Sequence, residues 1–218
     1  TYSNIEIIVV NDCSTQGEYN TFDFKKEFGD NIYIIHLPIN SREIFGRVAG
    51  GGNARNIGMM LTSGSYIAFL DDDDYFLPTK IEKQINSMKN TNCSISCTDA
   101  YGGNGQYDLN SQYNVYLYKG IHWDSLINIY RDRIQLFESM YKNDINIWGG
   151  EELHIHNCCV CSSIVIKKDL INQAGYFPIK SYGEDWEYWK ELIKYSKCVF
   201  LREPLTYLDQ NHGDGQCY

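Results

Sequence analysis

No run of about 18 apolar residues occurs in this chain, so no segment of it reads as a membrane-spanning helix. Basic charge is also scarce: 19 Lys and Arg stand against 28 Asp and Glu, a formal net charge of −9. No Lys/Arg cluster answers a phosphate backbone, which excludes nucleic acid as the main partner. Eight cysteines in 218 residues are too few for a disulfide scaffold. Most sit in apolar, strand-like runs such as "NCCVCSSIVI", which predicts reduced, buried thiols and a cytoplasmic or cytosol-facing location. Internal repeats, low-complexity tracts and linkers are absent as well, so the chain reads as one domain.

What is present is a globular composition, 43% hydrophobic and 22% charged, long enough to enclose a core. "NIEIIVV" is a continuous β-branched run, the mark of a strand buried on both faces. "EYNTFDFKKEF" has helical spacing, and "NIYIIHLP" is a second strand stopped by Pro38. "GRVAGGGNARNIGMMLTSG" opens as a glycine-rich loop and becomes a helix closed by Gly64. "SYIAFL" is a third strand, "LPTKIEKQINSMKN" an amphipathic helix and "CSISC" a fourth strand. This alternation predicts an α/β fold with a mainly parallel sheet. Beyond residue 98, "TDAYGGNGQYDLNSQYNVYLYKG" reads as a loop or hairpin insertion, followed by a helical stretch from 122 to 141. "CVCSSIVIKK", "KDLINQAG", "EDWEYWKELIKY" and "CVFLREPLTYLD" then give strand, short helix, helix and one or two strands.

The charge that is plentiful is concentrated in "FLDDDDYFLP". If the strand continued, Asp71 and Asp73 would share a face. Like charges that close repel unless solvent or a cation relieves them. A solvated acidic turn and a Mg²⁺ or Mn²⁺ site both satisfy this; oxygen ligands at the carboxyl end of a strand suit the second.

"SGSYIAFLDDDDYFLPTKIEKQI" resembles the central motif of family 2 glycosyltransferases, in which a strand ends in Asp-x-Asp-Asp before an aromatic and a proline. "NIEIIVVNDCST" resembles that family's second strand and nucleotide-binding turn, and "YGEDWEYWKELIK" its Glu-Asp helix. "CSSIVIKKDLINQAGYF" resembles the strand and helix preceding that last motif. The resemblance covers residues 1 to 100 and 157 to 212. It implies a GT-A fold: a Rossmann-like, mainly parallel central sheet flanked by helices, with a small second sheet in the acceptor half. Residues 1–100 would bind the nucleotide-sugar and 101–218 the acceptor.

Carried over position by position, Asp12 would bind the nucleotide base, and Arg55 would reach the diphosphate or brace its loop. Asp71 would contact the ribose or donor sugar, with Asp72 and Asp74 supporting. Asp73 would ligate Mn²⁺ or Mg²⁺, joined by His212. Asp185 would be the catalytic base, with Glu184 beside it against the substrate, and a helix N-terminus would favour its carboxylate form. The reaction implied is inverting transfer from a nucleotide-sugar, a UDP-sugar first, to an acceptor hydroxyl of unknown identity. The alternative is a catalytically inactive module that binds sugar-nucleotide or carbohydrate.

Other motifs are weaker. Asn-Asp after a strand also suits a plain turn, and Gly-Glu-Asp also suits a helix cap. The Gly50 to Gly52 run permits close backbone approach but lacks the spacing of a dinucleotide fingerprint. His154, His156 and Cys158 alternate as zinc ligands could, without a second pair at matching spacing. "WGGEE" places Glu151 and Glu152 behind Asp185 as candidates. Family members also begin with a strand and helix before "TYSNIEI", so about 30 further N-terminal residues are expected.

Overall fold

A computed structural model describes residues 1–15, 17, 22–46 and 51–211. The apolar run after Glu6 forms β1 (Ile7–Asn11), and α1 (Phe24–Phe28) leads to β2 (Ile32–His36). The two strands pair in parallel, from Ile7 opposite Ile32 to Asn11 opposite His36. Next come α2 (Ser41–Phe45) and α3 (Gly52–Leu61). α3 closes at Thr62, ahead of the expected Gly64, because the Ser63 and Gly64 amides donate to Glu6 at 2.6 and 2.7 Å instead of extending the helix.

β3 (Tyr66–Ala68) and β4 (Tyr75–Phe76) flank the acidic segment. α4 (Lys80–Thr91) then starts just after Pro78 and ends at Asn92 in the left-handed conformation. Its spacing turns Ile85 and Met88 into the core. β5 (Ile95–Gly103) runs further than the apolar run alone implies. It bulges at Asp99, whose buried carboxylate accepts from the amides of Ala100, Leu117 and Tyr118 at 2.7, 2.9 and 2.8 Å. That anchor folds the insertion back as a hairpin with β6 (Asn114–Val115).

The C-terminal half continues through α5 (Trp123–Ile129), α6 (Ile134–Met140), β7 (Ile145–Trp148) and α7 (Gly150–Ile155). β8 (Val165–Lys167), α8 (Ile171–Ala174), α9 (Glu184–Leu192) and β9 (Cys198–Asp209) complete it. The main sheet has seven strands in the order β3-β8-β5-β9-β4, with β6 added to β5 and β7 to β9.

The α/β class holds, but two details of the sheet differ from expectation. Among the described residues only β5–β9 is parallel in the seven-stranded sheet, because β8, β4, β6 and β7 all return against their neighbours. The small second sheet is β1–β2 in the N-terminal half; β6 and β7, in the C-terminal half where a second sheet was expected, instead extend the main sheet. The core lies around β5 and β9, where Cys97, Ala100, Cys198, Val199 and Phe200 are wholly buried and Trp148 stacks on Phe200 at 4.1 Å.

Candidate active site

The acidic segment is not a continuation of β3. The strand stops at Ala68, and residues 71–74 form a turn closed by the Asp74 amide on the Asp71 carbonyl at 3.1 Å. The alternating-face reading of Asp71 and Asp73 is therefore replaced by a tight turn that crowds the same charges. The Asp71 amide donates to Ser162 Oγ at 3.0 Å, and Asp71 Oδ1 accepts from Arg55 Nη2 at 2.6 Å. Asp72 is exposed and Asp73 half-buried. Asp74 accepts from the Asp209 amide at 3.2 Å. Burial, reinforced by the charges of Asp71 and Asp73, pushes the Asp74 carboxyl up to about 7.

Arg55 joins this turn to the far end of the sequence. Its Nη1 donates to Glu184 Oε1 at 3.0 Å while Nη2 holds Asp71, so one guanidinium spans two carboxylates. These contacts tie the acidic turn to α9; they do not decide between the two roles expected of Arg55, at the diphosphate or bracing its own loop. Gly51 makes room for it, since a Cβ there would lie 2.8 Å from Arg55 Nη1. One residue on, Asn56 is buried and pairs both ways with the Phe177 backbone, at 2.9 and 2.8 Å. α3 is thereby fixed to the segment that delivers α9.

Asp185 sits in the first turn of α9, after Gly183 in the left-handed conformation at φ 67°. Its Oδ1 accepts from the Trp186 amide at 2.7 Å and its Oδ2 from Asn157 Nδ2 at 2.9 Å. The helix terminus does not set the direction of its titration. Burial raises the Asp185 carboxyl above its ordinary value, helped by the Glu184 charge and opposed by those hydrogen bonds and by Arg55. Glu184 itself is 4% exposed, committed to Arg55.

Asp12 follows β1 at another place in the fold. Its Oδ1 accepts from the Ser41 amide and hydroxyl at 2.9 and 2.8 Å, and its carbonyl accepts from Asn40 Nδ2 at 2.6 Å. It therefore anchors the start of α2, and none of these bonds reaches the Arg55 cluster. Asn11 closes the same turn by accepting from the Ser14 amide at 2.8 Å. His212 and Gly50 lie outside the described residues.

The weaker candidates resolve into structural roles. Glu152 accepts the Gly149 amide at 2.7 Å as a helix-start cap, and Glu151 pairs with Arg133 at the surface. His154 Nδ1 contacts the Gly150 carbonyl, while Cys158 Sγ lies 3.3 Å from the Tyr130 hydroxyl, so the alternating His/His/Cys ligands do not converge. Asn56, Asn157 and Ser162 escaped the sequence reading. Their one signal is polarity inside or beside apolar runs, which does not reveal a partner.

The acidic turn offers hard oxygen donors but no closed cage: among the described residues, no three carboxylates bring their oxygens within ligand reach of one another. Mg²⁺ and Mn²⁺ sites of the shared type need only one or two carboxylates, with substrate phosphates completing the shell. Burial is the main cause of the raised Asp74 carboxyl, and the charges of Asp71 and Asp73 add to it; that added negative charge is what such an ion would relieve. The donor set fits it.

Residues 1–171 match the sequence profile described as Glycosyl transferase family 2. The UDP-Glc:alpha-D-GlcNAc-diphosphoundecaprenol beta-1,3-glucosyltransferase WfaP of Escherichia coli is 38% identical over 101 residues, 46% of this chain and 36% of that protein. Glycosyltransferase GlyA of Streptococcus pneumoniae is 31% identical over 156 residues, 68% of this chain and 20% of that protein. The chain thus spans well under half the length of these two relatives. Among solved structures, S. aureus TarS residues 1–349, in complex with UDP-GlcNAc, superposes with a TM-score of 0.65 at 18% identity, covering 95% of this chain and 50% of that one.

Proposed function

The chain belongs to glycosyl transferase family 2, and from that premise we propose that it carries the site of an inverting, metal-dependent transferase acting on a nucleotide-sugar, with a UDP-sugar as the first candidate. The observation that carries the reading is the Arg55 bridge. It draws the acidic turn and the Glu-Asp helix, with Arg55 and Glu184 129 positions apart, into one cluster. The UDP-Glc named for WfaP supports the choice of donor.

In this proposal Asp185 takes the proton of an acceptor hydroxyl as that oxygen bonds to the anomeric carbon. The bond from that carbon to the diphosphate oxygen breaks, and the nucleoside diphosphate leaves with the electron pair. Attack opposite the leaving group inverts the anomeric centre. Asn157 holds Asp185 Oδ2 in place, and the raised carboxyl makes Asp185 a stronger base than an ordinary aspartate. Arg55 keeps Asp71 and Glu184 in register, Asp71 serves the donor sugar or ribose, Asp72 supports it, and Asp12 serves the base. Asp73 would hold Mn²⁺ or Mg²⁺, which would supply charge neutralisation at the departing diphosphate.

The test is release of UDP from a panel of UDP-sugars with Mn²⁺, for the natural chain and for Asp185→Asn. Turnover is expected to fall by about 10²–10⁴ in the variant, with UDP affinity unchanged. Equal turnover in both would remove Asp185 from the chemistry, and a chain that binds UDP without any turnover would favour the inactive binding module.

A further inference from the structure

Away from the acidic turn, three cysteines from distant parts of the chain meet. Cys97 comes from β5, Cys198 from β9 and Cys159 from the segment joining α7 to β8. Cys97 Sγ lies 3.5 Å from both Cys159 Sγ and Cys198 Sγ, and all three sulfurs fall within 4.8 Å of one another. Each residue is at most 1% exposed, and none is in a disulfide. Isolated buried cysteines are common core filler. Three sulfurs converging on a single point are a donor set, because a metal about 2.3 Å from each of three thiolates holds them roughly 4 Å apart.

We propose that Cys97, Cys159 and Cys198 form a three-thiolate site for a soft monovalent cation, Cu(I). Ligand chemistry selects the ion. Thiolates favour soft metals, whereas structural zinc requires four ligands. Among the described residues no fourth Cys, His, Asp or Glu ligand atom joins the group.

The site has a structural consequence. Cys159 lies between Asn157, which holds Asp185, and Ser162, which receives the Asp71 amide. A metal there would tie that supporting segment to the two central strands. This inference does not depend on the reaction proposed above.

The test uses the 218-residue chain with Cys13→Ser and Cys217→Ser, which removes the exposed thiol and the one outside the described residues. The reduced protein is titrated anaerobically with Cu(I) against a chromophoric Cu(I) chelator. One equivalent is expected to bind, and Cys159→Ala should weaken it by no less than the roughly 10–100-fold that loss of an outer-shell partner costs. Cys93→Ala, a buried thiol outside the cluster, should leave uptake intact. Copper-edge X-ray absorption of the loaded protein, which needs no variant in the cluster, should find three sulfur neighbours. No uptake, uptake that Cys159→Ala leaves unchanged, or a shell without three sulfurs overturns the proposal.

Discussion

The two sheets are built from similar β-branched and aromatic residues, yet they are held very differently. In β1–β2 only Ile32 and Asn11 are buried, while Ile7 is 43% and Tyr33 49% exposed. In β5 and β9, residue after residue is inaccessible, and the two strands pair over nearly their whole length. Burial of each such side chain contributes roughly 1.5–3 kcal/mol, so the large sheet dominates stability. Asp12 rides on the thin sheet. Arg55, Asp71, Glu184 and Asp185 are tied by hydrogen bonds to one another or to segments packed on the thick one. The proposed base Asp185 is thus tied to segments on the rigid part, Arg55 reaches Asp71 and Glu184 from α3, which packs against β1, and the proposed base-recognition residue lies on the less buried sheet.

Several experiments would break or sharpen this contrast. The largest effect is kinetic: Asp185→Asn should lower turnover by about 10²–10⁴ while leaving hydrogen exchange in both sheets unchanged. Arg55→Ala should cost about 3 kcal/mol in urea unfolding, since it strands the buried Glu184 carboxylate. Arg55→Lys should recover little of it, because a single ammonium cannot span two carboxylates.

Asp74→Asn gives a smaller, pH-dependent effect. The folded carboxyl titrates at about 7 against an ordinary value of 3.8, so the folded state binds the proton more tightly and loses stability as pH rises through that window. The variant should therefore match the natural protein below about pH 4 and gain in relative stability as pH rises towards and past 7. Equal stability at both ends would mean that neither burial nor the neighbouring charges raise the Asp74 carboxyl in the folded state. Smallest is Glu6→Ala, which removes the bonds from Ser63 and Gly64. It should speed amide exchange in β1–β2 about tenfold, with little change in β5 or β9.

Much of this was legible in the sequence, and the reasons for the rest are physical. Continuous apolar runs gave β1, β2 and the start of β5, and Pro78 marked the entry to α4. Pairing direction was not legible, because a buried run such as "SSIVI" reads alike in a parallel and an antiparallel neighbour. The Asp-rich and Glu-Asp motifs identified carboxylates, but the Arg55–Glu184 pair joins positions too far apart for any local pattern to reveal. The direction of the Asp185 shift was misjudged because a helix N-terminus is visible in sequence while the surrounding burial is not. Asn157 and Ser162 matter only through where the chain returns.

The central claim is that a nucleotide-sugar site is assembled at the acidic turn. Calorimetric titration of UDP into the 218-residue chain, with Mn²⁺ and then with EDTA, tests it most directly. The account predicts micromolar binding that requires Mn²⁺ and disappears in Asp73→Asn. UDP binding unchanged by EDTA and by Asp73→Asn, or no binding under either condition, would contradict it.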